Sequence, residues 1–197
     1  MLSEIVHFIV ESVEALGYGG IFIMMFLESS FFPFPSEVAM IPAGYLASMG
    51  KMNIFIAIFV GILGSLMGAL FNYFLAIKFG RNFLLKYGKY FFISEETIQK
   101  TENFFKSHGA ISTFSGRLIP AVRQYISFPA GLAKMDLKLF SIYTILGAGL
   151  WVIILTLVGY FFGANEALAK EHLKEITIGV LLILSAFIFW YIKKQKV

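Results

Sequence analysis

Four ionisable side chains stand inside stretches that are otherwise apolar: Glu28 and Glu37 in one, Arg117 and Arg123 in another. Only three arginines occur in the chain, and two of them fall within this one seven-residue segment, where lysine is otherwise the preferred base. The planar guanidinium fork suits bidentate recognition of phosphate or carboxylate and stays charged when buried. Burial penalises the ionised form of a carboxyl group, which suits an acid that takes up and releases protons. Ionisable groups at membrane depth cost several kcal/mol and mark function by default. The set therefore suggests an anion held by Arg117 and Arg123, with Glu28 and Glu37 coupling protons. The structural alternative is that the acids neutralise the arginines as ion pairs that pin two segments together, although burying ion pairs is a poor route to stability.

The elements that position these groups must be membrane-embedded. Of 197 residues, 58% are hydrophobic and 14% charged, against about a quarter charged in a soluble domain; mean hydropathy is +0.80. The absence of cysteine excludes disulfides, thiolate metal sites and thiol nucleophiles. No His/Asp/Glu spacing suggests a metal, no nucleotide-binding loop is present, and neither cofactor nor nucleic-acid partner is expected. The first 50 residues contain no Lys or Arg, so the basic region of a cleavable leader is missing and insertion is expected from internal segments.

Three stretches are apolar enough to span a core of about 30 Å, which takes about 20 helical residues: residues 53–79, 139–163 and a shorter 176–192. The last carries Trp190 and Tyr191 at an interfacial position, before a basic tail. Residues 18–50 and 110–135 are also apolar, but Pro33, Pro35 and Pro42 interrupt the first and Pro120 and Pro129 the second. Proline removes a helix hydrogen bond and clashes with the preceding turn, and irregular backbone at membrane depth must be buried in protein or line a wet cavity. Both stretches are therefore expected to be re-entrant helical hairpins, with Pro33, Pro35, Pro120, Pro129 and Gly131 as hinge positions. Residues 1–17 are expected to form an interfacial amphipathic helix. Residues 81–109 form a polar connector, with Ser94 as N-cap ahead of Glu95 and Glu96. The small-residue stripe Gly61, Gly64, Ser65 and Gly68 is expected to serve close helix packing, and Asn72 either an interhelical hydrogen bond, the favoured reading, or a place facing the cavity.

The chain also repeats itself. Ile41 to Gly44 reads Ile-Pro-Ala-Gly and Phe128 to Gly131 reads Phe-Pro-Ala-Gly; each follows a charged hairpin and precedes a span closing on glycine, at Gly80 and Gly163. A hairpin crosses zero times and a span once, so the two units enter from opposite faces. This is an inverted repeat, the architecture that sets a transporter's site near the midplane between broken helices. The fold expected is an all-α polytopic membrane protein of one domain, residues 1–197. With that parity, ten Lys and Arg collect on the face of the connector and tail, and three (Lys51, Lys170, Lys174) on the other. The positive-inside rule makes connector and C-terminus cytoplasmic.

Gly116-Arg117-Leu118-Ile119-Pro120-Ala121-Val122-Arg123, running into Phe128-Pro129-Ala130-Gly131, resembles a signature of the DedA family, the SNARE-associated or VTT-domain superfamily. Glu28 followed by Phe-Pro-Phe-Pro-Ser-Glu-Val at Phe32 to Val38 resembles the family's other signature. The resemblance implies proton-motive-force-dependent flipping of phosphate-bearing lipids, undecaprenyl phosphate or phosphatidylethanolamine, across the bacterial inner membrane in support of envelope integrity. It places the essential acidic pair on Glu28 and Glu37 and the essential arginine pair on Arg117 and Arg123. Partners are then a phospholipid or prenyl-phosphate substrate and protons, with homo-oligomerisation left open. One rival is a membrane lipid-phosphate phosphatase using Ser115, Ser127 or His108, although no nucleophile–base pair is evident from spacing. The other is a proton-coupled exporter of small ions or drugs, for which the spans offer no hydrophilic path.

Overall fold

A computed structural model describes residues 2–30, 32, 35–87 and 94–164. The expected span 176–192, the basic tail and Pro33 lie outside the described residues. Those residues are all-helical: α1 (Leu2–Ser29), α2 (Glu37–Ser48), α3 (Ile54–Leu75), α4 (Arg81–Tyr87), α5 (Glu95–Arg117), α6 (Pro120–Arg123), α7 (Ser127–Leu132) and α8 (Leu137–Ala164). A π-helical segment, Ala76–Gly80, joins α3 to α4. Three segments are long and apolar enough to cross a membrane: Val10–Ser29, Ile54–Gly80 and Leu137–Gly163. The last two coincide with expected spans. The first contains a break, because Gly17 adopts φ 58° and ψ −149°, a conformation open in practice only to glycine.

Beyond that break, the second half of α1 and the 12-residue α2 form a hairpin whose two ends meet. Lys51 Nζ lies 2.7 Å from Glu14, and the Asn53 amide donates to the Tyr18 hydroxyl at 2.7 Å. The chain thus leaves this hairpin where it entered. Pro42 lies inside α2 without ending it; the break comes earlier, between Ser30 and Ser36. The second hairpin also closes on itself: the space beside Gly109 is filled by Met135, whose sulfur would lie 3.0 Å from an added Cβ.

One boundary differs from expectation. The connector and the first limb of the second hairpin do not separate near residue 109, because α5 runs unbroken for 23 residues. Polarity changes there and Gly109 weakens the helix, but the backbone stays helical through it until Pro120 forces Ile119 out of helical space (φ −100°, ψ 115°). At its start, Ser94 caps the helix as expected, accepting from the Thr97 amide at 3.2 Å.

Each hairpin packs its helical Pro-Ala-Gly segment, in α2 or α7, against the long helix of the other half. A Cβ on Gly44 would lie 2.0 Å from the Thr156 carbonyl oxygen, and one on Gly131 would lie 2.4 Å from that of Tyr73. Thr156 precedes Gly163 by seven residues, and Tyr73 precedes Gly80 by seven. The closing glycines reciprocate: Gly163 rests on Tyr45 and Ser48, Gly80 on Leu132 and Phe128. The Tyr73 hydroxyl then donates to the Met135 carbonyl, tying α3 to the far end of the second hairpin. The small-residue stripe packs as expected, with Gly64 against the Phe22 carbonyl and Gly68 against that of Phe26.

Candidate functional site

The ends of broken helices bring the four ionisable residues together. Glu28 is the penultimate residue of α1 and Glu37 the first of α2; Arg117 closes α5 and Arg123 closes α6. Glu28, Arg117 and Arg123 are 3%, 2% and 6% exposed, while the Glu37 side chain is 39% exposed. Sequence separation is large, yet each contact crosses from one hairpin to the other.

The pairing is unequal. Arg123 takes both acids: its Nε lies 2.9 Å from Glu28 Oε1 and its Nη2 lies 3.4 Å from Glu37 Oε1. Arg117 takes neither. Its Nη1 donates to Ser29 Oγ at 3.1 Å and its Nη2 to Ser127 Oγ at 2.7 Å, and no carboxylate of the described residues forms an ion pair with it. Glu28 reaches Arg117 only through Ser29, whose hydroxyl is 2.8 Å from Glu28 Oε2 and 2.5 Å from Ser65 Oγ. Three guanidinium nitrogens, Arg117 Nε, Arg123 Nη1 and Arg123 Nε, have no hydrogen-bond partner among the described residues; the last contacts Glu28 by charge and distance alone.

Two span residues frame this cluster. Trp151 of α8 stacks under Arg123, with the guanidinium carbon 5.2 Å from the ring centroid, and its Nε1 donates to Ser36 Oγ at 3.3 Å. A single indole thus touches both hairpins. Asn72 of α3 donates to the carbonyls of Ser29 and Gln124 at 3.2 and 3.5 Å, holding the two hairpin turns side by side. This is the interhelical bond expected of it. Glu28, Ser65, Arg117, Arg123 and Trp151 line a cavity of about 10 Å³, room for about one water and too small for a phosphate.

The other hinge candidates lie around the cluster. Pro35 accepts from the Val38 amide at 3.1 Å, just ahead of α2; Pro120 opens α6, Pro129 lies in the first turn of α7, and Gly131 seats α7 on α3. Ser29, Ser36 and Trp151 were not singled out in the sequence. For Ser29 and Ser36 the only available signal was adjacency, since each sits beside one of the acids. Trp151 carries no local signal, because an aromatic residue in a span is unexceptional.

The hydroxyls named for hydrolysis are otherwise engaged. Ser115 donates to the Ile111 carbonyl at 2.9 Å, Ser127 meets Arg117 rather than a base, and His108 is exposed, bonded to Ser107 and stacked on Phe104. Among the described residues no group of three or more His, Asp or Glu could hold a metal ion.

Comparison with known proteins gives this geometry a family. The profile described as VTT domain matches residues 34–161, well over half of the chain, including Glu37, Arg117 and Arg123 but beginning after Glu28. The chain is 34% identical over 99% of its length to a Bacillus subtilis (strain 168) protein described as uncharacterized membrane protein YkoX, covering 87% of that protein. It is 33% identical over 99% of its length to undecaprenyl phosphate transporter A of the same organism, covering 96% of it. A Lactococcus lactis (strain IL1403) protein described as alkaline phosphatase-like is 32% identical over 95% of this chain, with 92% of the relative covered. No solved structure matches. With both charged motifs in place and the family profile reaching from the first hairpin turn to the second span, the chain belongs to the VTT-domain, or DedA, family of membrane proteins.

Proposed function

We propose that this protein is a proton-coupled flippase for phosphate-bearing lipids of the bacterial inner membrane, with undecaprenyl phosphate or phosphatidylethanolamine as substrate. One observation carries the reading: two buried arginines and Glu28 converge from opposite hairpins on one small cavity, with Glu37 paired to Arg123 beside it. Substrate phosphate replaces the carboxylates as partner of Arg117 and Arg123, while the prenyl or acyl tail stays in the bilayer beside the hairpins. Protonation of Glu28 and Glu37 removes the negative charge that occupies Arg123, and ionisation restores it after the phosphate has left. Pro33, Pro35, Pro120, Pro129 and Gly131 are the positions about which the hairpins rearrange.

Both hairpins are re-entrant in this proposal, and the two units form an inverted repeat. Supporting this, each limb of the first hairpin is about 12 residues, or about 18 Å at 1.5 Å per residue, short of a 30 Å core. The chain also enters and leaves each hairpin at one end, and the Gly44–Thr156 and Gly131–Tyr73 contacts are equivalent under exchange of the units. The connector and C-terminus are assigned to the cytoplasm on the ten-to-three distribution of basic residues. The printed name of the Lactococcus relative raises hydrolysis as a second reading, but Ser127 meets a guanidinium where a general base would be required.

The deciding experiment is a lipid accessibility assay in proteoliposomes, comparing undecaprenyl phosphate with phosphatidylethanolamine under an imposed pH gradient. Wild-type protein is expected to equilibrate one of these between leaflets, and Arg117→Ala and Arg123→Ala to abolish it. Release of inorganic phosphate from the same lipid, without movement, would replace transport with hydrolysis.

A further inference from the structure

The two arginines are not interchangeable, and their surroundings say how they differ. Arg123 is occupied: both acids lie on it and Trp151 covers one face. Arg117 is more deeply buried, yet its partners are two neutral hydroxyls. A buried charge without a counterion is costly, and hydroxyl acceptors satisfy its geometry without cancelling its charge. The serines also retain their own protons. Ser29 directs its proton to Glu28 or Ser65, and no acceptor among the described residues takes that of Ser127. The cavity beside Arg117 and Arg123 meanwhile has unused donors in Arg117 Nε and Arg123 Nη1. An excess of buried donors around a cation that no carboxylate contacts describes an anion site with donors to spare.

We propose that Arg117 is the standing contact for the phosphate and Arg123 the gated one, with Ser29 and Ser127 as positioning residues for Arg117. The phosphate engages Arg117 while Arg123 still holds its carboxylates, and Arg123 joins only when those carboxylates are protonated. Ser127 and Ser29 fix the guanidinium from α7 and α1, so that its free edge meets the cavity whichever way Arg123 is engaged. This rests on the flippase reading above, since it assigns an order to the same site.

The test uses full-length protein in detergent and measures binding of undecaprenyl phosphate against undecaprenol, the same tail without the phosphate. Expected results are a wild-type preference for the phosphate, its loss in Arg117→Ala, and its retention within about tenfold in Arg123→Ala, which nevertheless fails to transport. Ser127→Ala weakens phosphate binding by about tenfold without altering undecaprenol binding, and Ser127→Thr, which restores the hydroxyl, recovers it. If Ser127→Ala does not fold, Ser127→Cys carries the comparison, because it fills the site with a weaker hydrogen-bonding group. Equal losses in the two arginine variants, or unchanged phosphate selectivity in the serine variants, would overturn the order proposed and leave the flippase reading standing. A wild-type protein that does not distinguish phosphate from alcohol would overturn both.

Discussion

Arg123 holds two carboxylates of very different exposure, and the difference separates what each contributes. Glu28 is buried, so removing its charge strands Arg123 in a low-dielectric site, where breaking a buried pair costs roughly 3–5 kcal/mol. Glu37 is partly hydrated and its contact is longer, so the corresponding loss should be about 1 kcal/mol or less. Glu28→Gln is therefore expected to lower the thermal unfolding temperature in detergent strongly, while Glu37→Gln stays folded, binds lipid phosphate and responds less steeply to a pH gradient, with Glu28 left as proton carrier. Circular dichroism melts beside a binding assay check this, and equal destabilisation in both variants would make the two acids structural staples. Lysine is a poor substitute at either arginine: Arg123 reaches Glu28 through Nε and Glu37 through Nη2, and one ammonium cannot reproduce the spread of that fork. Arg117→Lys and Arg123→Lys are expected to transport nearly as badly as the alanine variants in the proteoliposome assay; retained transport in both would show that charge alone suffices. These four residues were legible as a set, because charges in apolar stretches announce themselves. Which acid takes which arginine was not, since that pairing depends on where two hairpin tips come to rest, a long-range matter that no local pattern encodes.

The helical elements show the same division. Prolines and the repeated Pro-Ala-Gly indicated two broken hairpins and two long helices, and the structure has breaks at Gly17, between Ser30 and Ser36, and before Pro120. The run of α5 through residue 109 was hidden because hydropathy changes there and Gly109, a poor helix former, coincides with the change, while the packing of Met135 beside it keeps the helix going. The crossed packing of Pro-Ala-Gly segments on long helices leads to a paired expectation. Gly44→Ala and Gly131→Ala each drive a methyl into a neighbouring helix carbonyl, and overpacking of this kind costs about 1–3 kcal/mol. Their unfolding temperatures should fall by similar amounts if the two units are equivalent; a large loss in one with none in the other would count against the repeat. Membrane re-entry is tested separately, and the lack of native cysteine makes single-cysteine labelling clean. Cysteines at Tyr18 and Met49 should label from one face only, and those at His108 and Lys134, both exposed, from the opposite face. A cysteine at Phe32, exposed at the first turn, should resist impermeant reagent from the face opposite Tyr18. Labelling there would mean that the hairpin crosses the membrane twice.

For the molecule as a whole, charge balance fixes what the pH gradient must do. The empty site carries two arginines and two acids and is neutral when all four are ionised. A phosphate monoester brings about −1.5 to −2 charges at pH 7, and an uncompensated charge at this depth costs several kcal/mol. Taking up about two protons, one on Glu28 and one on Glu37, returns the loaded site to neutrality. Both the empty and the loaded carrier are then neutral, so their rearrangement moves no net charge across the membrane. A potential does about 2.3 kcal/mol of work per elementary charge per 100 mV, and on a neutral carrier it does none. Undecaprenyl phosphate movement in proteoliposomes is therefore expected to follow an imposed pH difference and to ignore a potassium diffusion potential at equal pH. Phosphatidylethanolamine offers the contrast, because its head group pairs a phosphodiester with an ammonium and adds no net charge to the site. Protonation of the two acids still frees Arg123 for the phosphodiester, but the loaded site then keeps the charge of both arginines, so phosphatidylethanolamine movement is expected to respond to the membrane potential as well as to the pH gradient. Transport of the monoester driven by potential alone would show that a charged form crosses, and would remove Glu28 and Glu37 from the coupling role.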